Sequence, residues 1–197
     1  MQNKIEILLF FGSFNPIHNG HLAIASYFTE FYGMREVWFV ITPQNPAKQN
    51  ENLLGNRERQ HLVNLAIGDY PKFRVSDIEF NLPKPNYTIN TLVYMEEKFP
   101  NKKFSLLIGG DNLETFHKWK NYKLILENYK LYVYKRPGAI IPDLKSFGEK
   151  ADIEIVDAPM MEISSSFIRK AIKDYKDVRY FMPEKVYKYI KDMRYYL

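Results

Sequence analysis

The segment from Phe11 to His21, FGSFNPIHNGH, constrains the fold of this chain more than any other. An apolar run at residues 5–10 precedes it and is typical of a buried strand, and residues 22–28 follow it with the apolar spacing of a helix. A strand, a tight glycine turn and a helix start create an anion site, because unpaired backbone N–H groups and the helix dipole converge there. His18 and His21 can add positive charge, so the segment predicts a site for a nucleotide triphosphate.

His18 and His21 have two other possible interpretations besides the phosphate site. Residues three apart on a helix are neighbours, so both could be metal ligands. However, the chain has no cysteine, its two other histidines lie in unrelated contexts, and no carboxylates visibly complete a zinc site, so we expect no protein-held metal. The histidines could also be ordinary helix-surface residues beside a turn. Glycine on both sides of the Asn-Pro turn, directly after a core strand, favours the phosphate site.

Composition limits the classes of protein to which this chain can belong. The chain has 197 residues, 46% of them hydrophobic, which predicts a folded globular protein with a full core. The absence of cysteine excludes a disulfide framework, and neither a membrane span nor a signal peptide is visible, so we expect a cytoplasmic protein with no membrane partner. The net charge of +5 fits anionic ligands without identifying one. Basic residues are dispersed and no nucleic-acid motif is present, so no nucleic-acid partner is expected.

Strand and helix signals alternate along the chain. Strands are predicted at residues 5–10, 36–41, 73–80, 103–108, 130–134 and 153–156. Helices are predicted after His21, at 57–67 and 88–98, around Leu124, from the serines at 164–166, and at 184–195. Asn86 or Thr88 is expected to cap the helix at 88–98, and Pro183 to lie directly ahead of the last helix, where the start of a helix accepts proline.

This alternation predicts the α/β class, with a Rossmann-like, doubly wound parallel sheet followed by C-terminal helices. We expect residues 1–197 to form a single nucleotidyltransferase domain, with a C-terminal helical part at about 164–197. Ligands of such sheets bind beyond the carboxyl ends of the strands, where the strand order reverses. The segment 11–21 follows the first strand and Gly109–Asn112 follows the fourth, so both are predicted to flank one crevice.

Two segments carry a resemblance to a known superfamily. His18-Asn19-Gly20-His21 and the ISSSFIR sequence of Ile163–Arg169 resemble the two signature segments of the H-x-G-H nucleotidyltransferases. Within that superfamily the chain is similar to the nicotinate-nucleotide adenylyltransferases, and the resemblance runs through nearly the whole chain in the family's order. Further matching segments are residues 87–92, 108–112, Trp119, 136–138 and 183–186.

The resemblance implies transfer of the adenylyl group of ATP to nicotinate mononucleotide, which yields deamido-NAD and pyrophosphate in NAD biosynthesis. The acceptor phosphate attacks the α-phosphorus in line and is already anionic, so no side-chain nucleophile or general base is needed. Catalysis then consists of positioning two anions and neutralising their charge. Mg²⁺ is expected to bridge the phosphates of the co-substrate ATP with few direct protein ligands. The sequence is also compatible with assembly of the protein into a homo-oligomer.

The resemblance also implies the residues that carry these roles. His18, His21 and Arg169 are expected to be catalytic, as donors to the phosphates. The residues expected to contact ATP are Gly12, Ser13, Phe14, His18, Gly20, His21, Gly109, Asp111, Arg136, Ile163, Ser165, Ser166 and Arg169. The residues expected to contact the acceptor are Asn15, Lys48, Thr88 and Trp119.

Several of these residues have an ordinary structural interpretation as well. The serines at 164–166 could simply cap a helix, Asp111 could be a helix cap, and Trp119 could belong to the core. Lys48 could be a solvated loop lysine. For the nicotinate carboxylate, Thr88 with backbone N–H groups near Trp119 and Lys120 forms the expected site, and the Trp119 ring is expected to stack near the nicotinate.

The chain departs from the family pattern at a few positions. The family commonly has Gly-Gly before Thr-Phe-Asp-Pro, whereas this chain has Phe11-Gly12 before SFNP. This suggests that only Gly12 needs to approach phosphate closely. Asn15 removes a negative charge near the triphosphate, and Ser166 replaces the usual threonine but keeps the hydroxyl. None of these changes removes a group that the chemistry requires.

Alternative functions remain open at this point. A sibling enzyme could use nicotinamide mononucleotide or phosphopantetheine as the acceptor. A nucleotide-binding regulator without catalysis would bind ATP tightly and show no turnover, although the intact His18, His21 and Arg169 count against it.

Overall fold

The computed structural model describes residues 4–43, 53–135, 138–159 and 161–197, and its centre is a six-stranded parallel sheet. The strand order is β3-β2-β1-β4-β5-β6, so the chain leaves the middle of the sheet in one direction and returns to build the other half. The strands are β1 Ile5–Gly12, β2 Glu36–Ile41, β3 Phe73–Ser76, β4 Lys102–Gly109, β5 Leu131–Tyr134 and β6 Ile153–Val156.

Helices cover both faces of this sheet. They are α1 Asn19–Glu30, α2 Asn56–Ile67, α3 Thr88–Lys98, α4 Gly110–Glu114, α5 Tyr122–Asn128, α6 Ser165–Lys173 and α7 Glu184–Asp192. Short 3-10 helices lie at Ile78–Asn81, Phe116–Lys118, Leu144–Phe147 and Arg179–Phe181. The predicted Rossmann-like, doubly wound α/β architecture is confirmed.

The core divides at the central strand into two clusters. Leu8 and Phe10 point to one face of β1, where residues of α1, α2, α6 and α7 cover them. Ile7 and Leu9 point to the other face, beneath residues of α3, α4 and α5. A continuous apolar run is what a parallel strand buried on both sides requires. Since β1 pairs with both β2 and β4, its carboxyl end lies at the reversal of strand order, where the sequence predicts the ligand site.

The predicted third strand is too long. β3 ends at Ser76, and the chain continues as the 3-10 helix Ile78–Asn81. The register explains the early end, because Ser76 already pairs with Val40 and the partner strand β2 stops one residue later at Ile41. Beyond that point a strand would leave its backbone groups without a neighbour.

The predicted helix ends need smaller corrections. Tyr87 caps α3, whereas Asn86 donates from Nδ2 to the carbonyl of Glu79 at 3.0 Å and Thr88 is the first helical residue. Pro183 lies at the N-cap of α7, directly ahead of Glu184 as predicted. The last helix ends at Asp192, three residues before the predicted 195, since Arg194 adopts a φ of +53° that breaks the helix.

Within the part of the chain that the structure describes, we find no helix with the length and apolar character that crossing a membrane requires.

Candidate active site

The turn after β1 places His18 and His21 against each other. His18 caps α1 in an extended conformation, and its backbone N–H donates to Nδ1 of His21 at 3.3 Å. The rings are stacked with centroids 3.7 Å apart, and His18 is only 4% exposed. Because Nδ1 of His21 accepts a hydrogen bond, a neutral His21 carries its proton on Nε2. The pair therefore places an imidazole N–H donor beside the N-terminus of α1.

Gly20 lies between the histidines because the ring of His18 occupies the adjacent space. A Cβ at Gly20 would lie 3.1 Å from His18 Nδ1 and 3.2 Å from Cε1, closer than packed atoms normally approach. Gly12 has a comparable reason, since a Cβ there would lie 2.8 Å from Cζ of Phe14. Packing thus accounts for both glycines, and the close approach of phosphate to Gly12 stays a prediction.

Phe14 is a core residue. It adopts a φ of +45° and is 1% exposed. Its ring packs edge-on to Phe39 at 5.5 Å and to His21 at 5.1 Å between centroids. Any contact between Phe14 and ATP must therefore come from its backbone, while its ring supports the imidazole of His21.

The second signature segment is hydrogen-bonded to this turn. Ser165 Oγ donates to the carbonyl of Pro16 at 2.8 Å, and Arg169 Nη1 donates to the carbonyl of Asn15 at 2.8 Å. Ser164 caps α6 by accepting the N–H of Phe167 at 3.1 Å, which confirms the predicted serine cap. The bonded residues are 149 and 154 positions apart in sequence, so tertiary folding alone joins the two segments.

The hydroxyls of Ser165 and Ser166 already have hydrogen-bond partners within the protein. Ser165 donates to Pro16, and Ser166 Oγ accepts from Arg169 Nη2 at 3.3 Å. Contacts of Ser165, Ser166 and Arg169 with phosphate remain predictions. A helix N-terminus beside the histidine pair is nevertheless the arrangement that favours an anion.

Both signature segments line one cavity of about 390 Å³. His18, Gly20 and His21 come from the first segment, and Ile163 and Ser164 come from the second. This volume is in the range of small-molecule sites. The remaining lining residues are Ile24, Tyr134, Lys135, Met161 and Glu162.

Lys135 is a lining residue that the sequence interpretation missed. It directly follows β5, at the same carboxyl edge of the sheet as the histidine turn. That position was the available signal, because the carboxyl ends of parallel strands face the ligand crevice. Arg136, which was predicted to contact ATP, lies outside the described residues, as does Lys48.

Gly109 and Asp111 lie at the end of β4, next to the end of β1. Gly109 caps the short helix α4, and Asp111 lies exposed in its first turn. Neither residue lines the cavity, which is bounded by the turn after β1, the end of β5 and the start of α6. Their contacts with ATP remain predictions.

Arg59 is a second residue that was missed. It is fully buried, and burial lowers the pKa of its guanidinium. On α2 it lies three and four residues before the buried Leu62 and Val63, so its place on the apolar face was visible in the sequence. Its guanidinium donates to the carbonyls of Ser13 at 2.6 Å, Thr42 at 2.9 Å and Leu54 at 3.0 Å, and to Oδ1 of Asn56 at 2.8 Å. It therefore ties the turn after β1 to the end of β2.

The predicted acceptor residues Thr88 and Trp119 belong to neighbouring segments. Thr88 opens α3 directly after Tyr87, and Nζ of Lys120 lies 4.4 Å from the centroid of the Tyr87 ring. The Trp119 ring is half-buried, 4.9 Å from that of Phe116. The backbone N–H of Trp119 donates to the Phe116 carbonyl at 2.9 Å, so it does not serve a ligand in this conformation. Ligand contacts of Thr88 and Trp119 stay predictions.

A buried carboxylate lies behind the start of α3. Glu79 is 1% exposed, and its Oε1 accepts from the hydroxyl of Thr91 at 2.7 Å. Burial raises the pKa of Glu79 to about 7, although hydrogen bonds from the hydroxyls of Thr91 and Thr42 oppose the shift. The carbonyl of Glu79 accepts from Asn86, so the same residue also braces the segment before Thr88.

Comparison with known proteins places this arrangement in a family. The model of the cytidylyltransferase-like family matches residues 9–171. The chain is 50% identical over 192 residues to a protein of Flavobacterium psychrophilum named as a probable nicotinate-nucleotide adenylyltransferase, covering 98% of this chain and 99% of the relative. A Bacteroides fragilis protein with the same name is 47% identical over 187 residues, which cover 95% of this chain and 92% of the relative.

Solved structures share the fold at low sequence identity. A Plasmodium falciparum nicotinic acid mononucleotide adenylyltransferase complexed with NaAD superposes with a TM-score of 0.80 at 19% identity, covering 97% of each chain. The same protein complexed with APC gives a TM-score of 0.78 at 19% identity, covering 97% of this chain and 96% of that one. Because the superposed residues cover nearly all of each chain, the similarity includes both the sheet and its helices.

Burial of Glu79 predicts a pH dependence of stability. A carboxyl whose pKa is raised on folding stabilises the fold fully below its ordinary pKa of 4.5, and this contribution is lost as the pH rises to about 7. Glu79→Gln keeps the shape but stays neutral. We expect the free energy of unfolding of the parent protein to fall by on the order of 3 kcal/mol, relative to this variant, across that interval.

Urea unfolding at a series of pH values measures the difference. Glu97→Gln, at an exposed position of α3, is the control and should follow the parent curve. Parallel pH curves for the parent and Glu79→Gln would contradict the assignment.

Proposed function

The chain belongs to the cytidylyltransferase-like family and, within it, to the nicotinate-nucleotide adenylyltransferases, and from this premise we propose that it transfers the adenylyl group of ATP to nicotinate mononucleotide. The products are deamido-NAD and pyrophosphate, and the reaction belongs to NAD biosynthesis. The observation that carries the proposal is the single cavity lined by both signature segments. We further propose that residues 1–197 act as one domain, since α6 and α7 contribute to the same core cluster as the sheet.

The reaction needs charge neutralisation and alignment more than acid–base chemistry. The acceptor's phosphate oxygen attacks the α-phosphorus, the bond to the bridging oxygen breaks, and pyrophosphate leaves on the opposite side. His18 and His21 donate hydrogen bonds to the phosphates, and the N-terminus of α1 adds its dipole. Arg169 adds a fixed positive charge from α6. Its bond to the Asn15 carbonyl supports this role, because that bond holds its guanidinium at the turn.

Magnesium fits this site as an ion that arrives on the nucleotide. Among the described residues, no group of three histidine, aspartate or glutamate side chains could hold a metal ion. Mg²⁺ commonly keeps its waters and binds through substrate phosphates with one or two carboxylates, so a protein cage is not required. When bound, the ion supplies further neutralisation of phosphate charge.

Selectivity for nicotinate is assigned to the start of α3. Thr88 supplies a hydroxyl and an N–H in the first helical turn, where a carboxylate is favoured. The half-buried ring of Trp119 offers a stacking surface for the pyridine. We propose that the acceptor phosphate binds near Lys48, beside the turn that contains Asn15, whose own side chain is fully buried and bonded within the protein.

Loss of the histidine pair tests the phosphate site. With ATP, Mg²⁺ and nicotinate mononucleotide, we expect His18→Ala to lower kcat by about a hundredfold or more, because it removes a phosphate donor. The melting temperature should change little, since the remaining packing of the turn is kept. Pyrophosphate release and a thermal melt measure both quantities.

The matched control for this experiment is His61→Ala. His61 is exposed on α2 and contacts Tyr189, away from the cavity, so its loss should leave kcat unchanged. A His18→Ala enzyme with near-parental kcat would refute the role of the histidine turn.

Replacement of Thr88 tests the acceptor assignment. We expect Thr88→Ala to raise the KM for nicotinate mononucleotide by roughly tenfold, because a donor to the charged carboxylate is lost. The KM for ATP should stay within about twofold, and the preference over nicotinamide mononucleotide should shrink. Side-by-side turnover with the two mononucleotides measures this preference. Equal losses with both acceptors would exclude Thr88 as the selective residue.

A further inference from the structure

Tyr196 reaches the active-site turn from the other end of the chain. It lies beyond α7 with a φ of +68°, two residues after Arg194 with a φ of +53°. The N–H of the intervening Tyr195 donates to the Ile190 carbonyl at 3.0 Å, which fixes this segment against the last turn of α7. The segment is thereby directed back toward the sheet.

The hydroxyl of Tyr196 donates to Oδ1 of Asn15 at 2.8 Å. The same oxygen accepts the backbone N–H of Leu54 at 3.2 Å, and Asn15 is fully buried. The backbone carbonyl of Asn15 accepts from Arg169 at 2.8 Å. Residues 54, 169 and 196, from three separate parts of the chain, therefore bond to the side-chain and backbone carbonyl oxygens of Asn15, in the turn that ends at His18.

The environment of Tyr196 keeps its hydroxyl a donor. Burial raises the pKa of Tyr196 well above its ordinary value, and this outweighs the opposing effect of the positive charges of Arg169 and Arg59. The proton stays on the phenol at neutral pH, so the bond to Asn15 persists through the working range of an enzyme.

We propose that Tyr196 is a positioning residue for adenylyl transfer, which acts through Asn15 to hold the His18 turn. The proposal rests on the proposed function. Asn15 precedes His18 by three residues, and its Oδ1 accepts hydrogen bonds from both Leu54 and Tyr196. Without the phenol proton, Oδ1 keeps only one of these two donors, and the amide can tilt. The tilt would displace the histidine that contacts the phosphates.

The test compares two neighbouring tyrosine-to-phenylalanine variants. Tyr196→Phe keeps the ring but removes the donor, and we expect kcat to fall about tenfold while both KM values stay within about twofold. Tyr195→Phe is the matched control, because it also keeps its ring, which lies 6.0 Å from that of Tyr189 and 6.4 Å from that of Tyr196, while the hydroxyl that it loses pairs with Tyr189. It should retain the parental kcat. Parental kcat in Tyr196→Phe would overturn the proposal.

A double-mutant cycle separates positioning from general stability. In an Asn15→Ala background, Tyr196→Phe should cause no further loss of kcat, because its acceptor is gone. In an Asn15→Asp background, which keeps an oxygen acceptor, the loss should return. If Tyr196→Phe lowers kcat by the same factor in the Asn15→Ala background as in the parent protein, the proposal is overturned.

A readout independent of turnover distinguishes this proposal from the proposed function. The NMR signals of the His18 and His21 rings should shift in Tyr196→Phe and stay unchanged in Tyr195→Phe. An inactive parent protein whose histidine signals respond in this way would contradict only the proposed function. Unchanged histidine signals in Tyr196→Phe would overturn the positioning role whatever the turnover.

Discussion

Two hydrogen bonds from α6 to backbone carbonyls determine how this site is assembled. Ser165 and Arg169 donate to the carbonyls of Pro16 and Asn15, and so bring the start of α6 onto the turn that leads into α1. Two helix N-termini then face one cavity, together with the stacked histidines. These bonds act together with apolar packing, since Ile168 of α6 is buried in the same core cluster as Phe14 and Ile17 of the turn. The proposed anion site is therefore a product of tertiary structure, although each of its two segments has a local signature.

Buried polar groups beneath the turn also hold it in place. Arg59 and Asn15 are fully buried, and both reach the segments that follow β1 and β2. Burying such groups is costly unless they are hydrogen-bonded, and a missing partner penalises the fold more than a bond gains. The turn is thus held by groups that have few alternative arrangements. These bonds offset the cost of holding a phenylalanine at positive φ in this turn.

The parts of the fold that depend on local pattern could be predicted from the sequence. The β1 run, the strand at Glu36–Ile41 and the serine cap of α6 each follow from neighbouring residues. The end of β3 could not, because it is set by where its partner strand stops. Nor could the position of Tyr196, since nothing near it in sequence indicates that its hydroxyl meets Asn15. Residues 18–21 were found because a glycine turn between a strand and a helix predicts an anion site, whereas residues 163–169 were identified as a site segment by their resemblance to the second signature of the family.

The central claim is that the histidine turn and the start of α6 bind one triphosphate between them. A crystal structure of the protein with Mg²⁺ and a non-hydrolysable ATP analogue tests this most directly. The account predicts phosphate oxygens within hydrogen-bond distance of His18 and His21 on one side and of the first residues of α6 on the other. A nucleotide whose phosphates lie away from the histidines, or that contacts only one of the two segments, would contradict it.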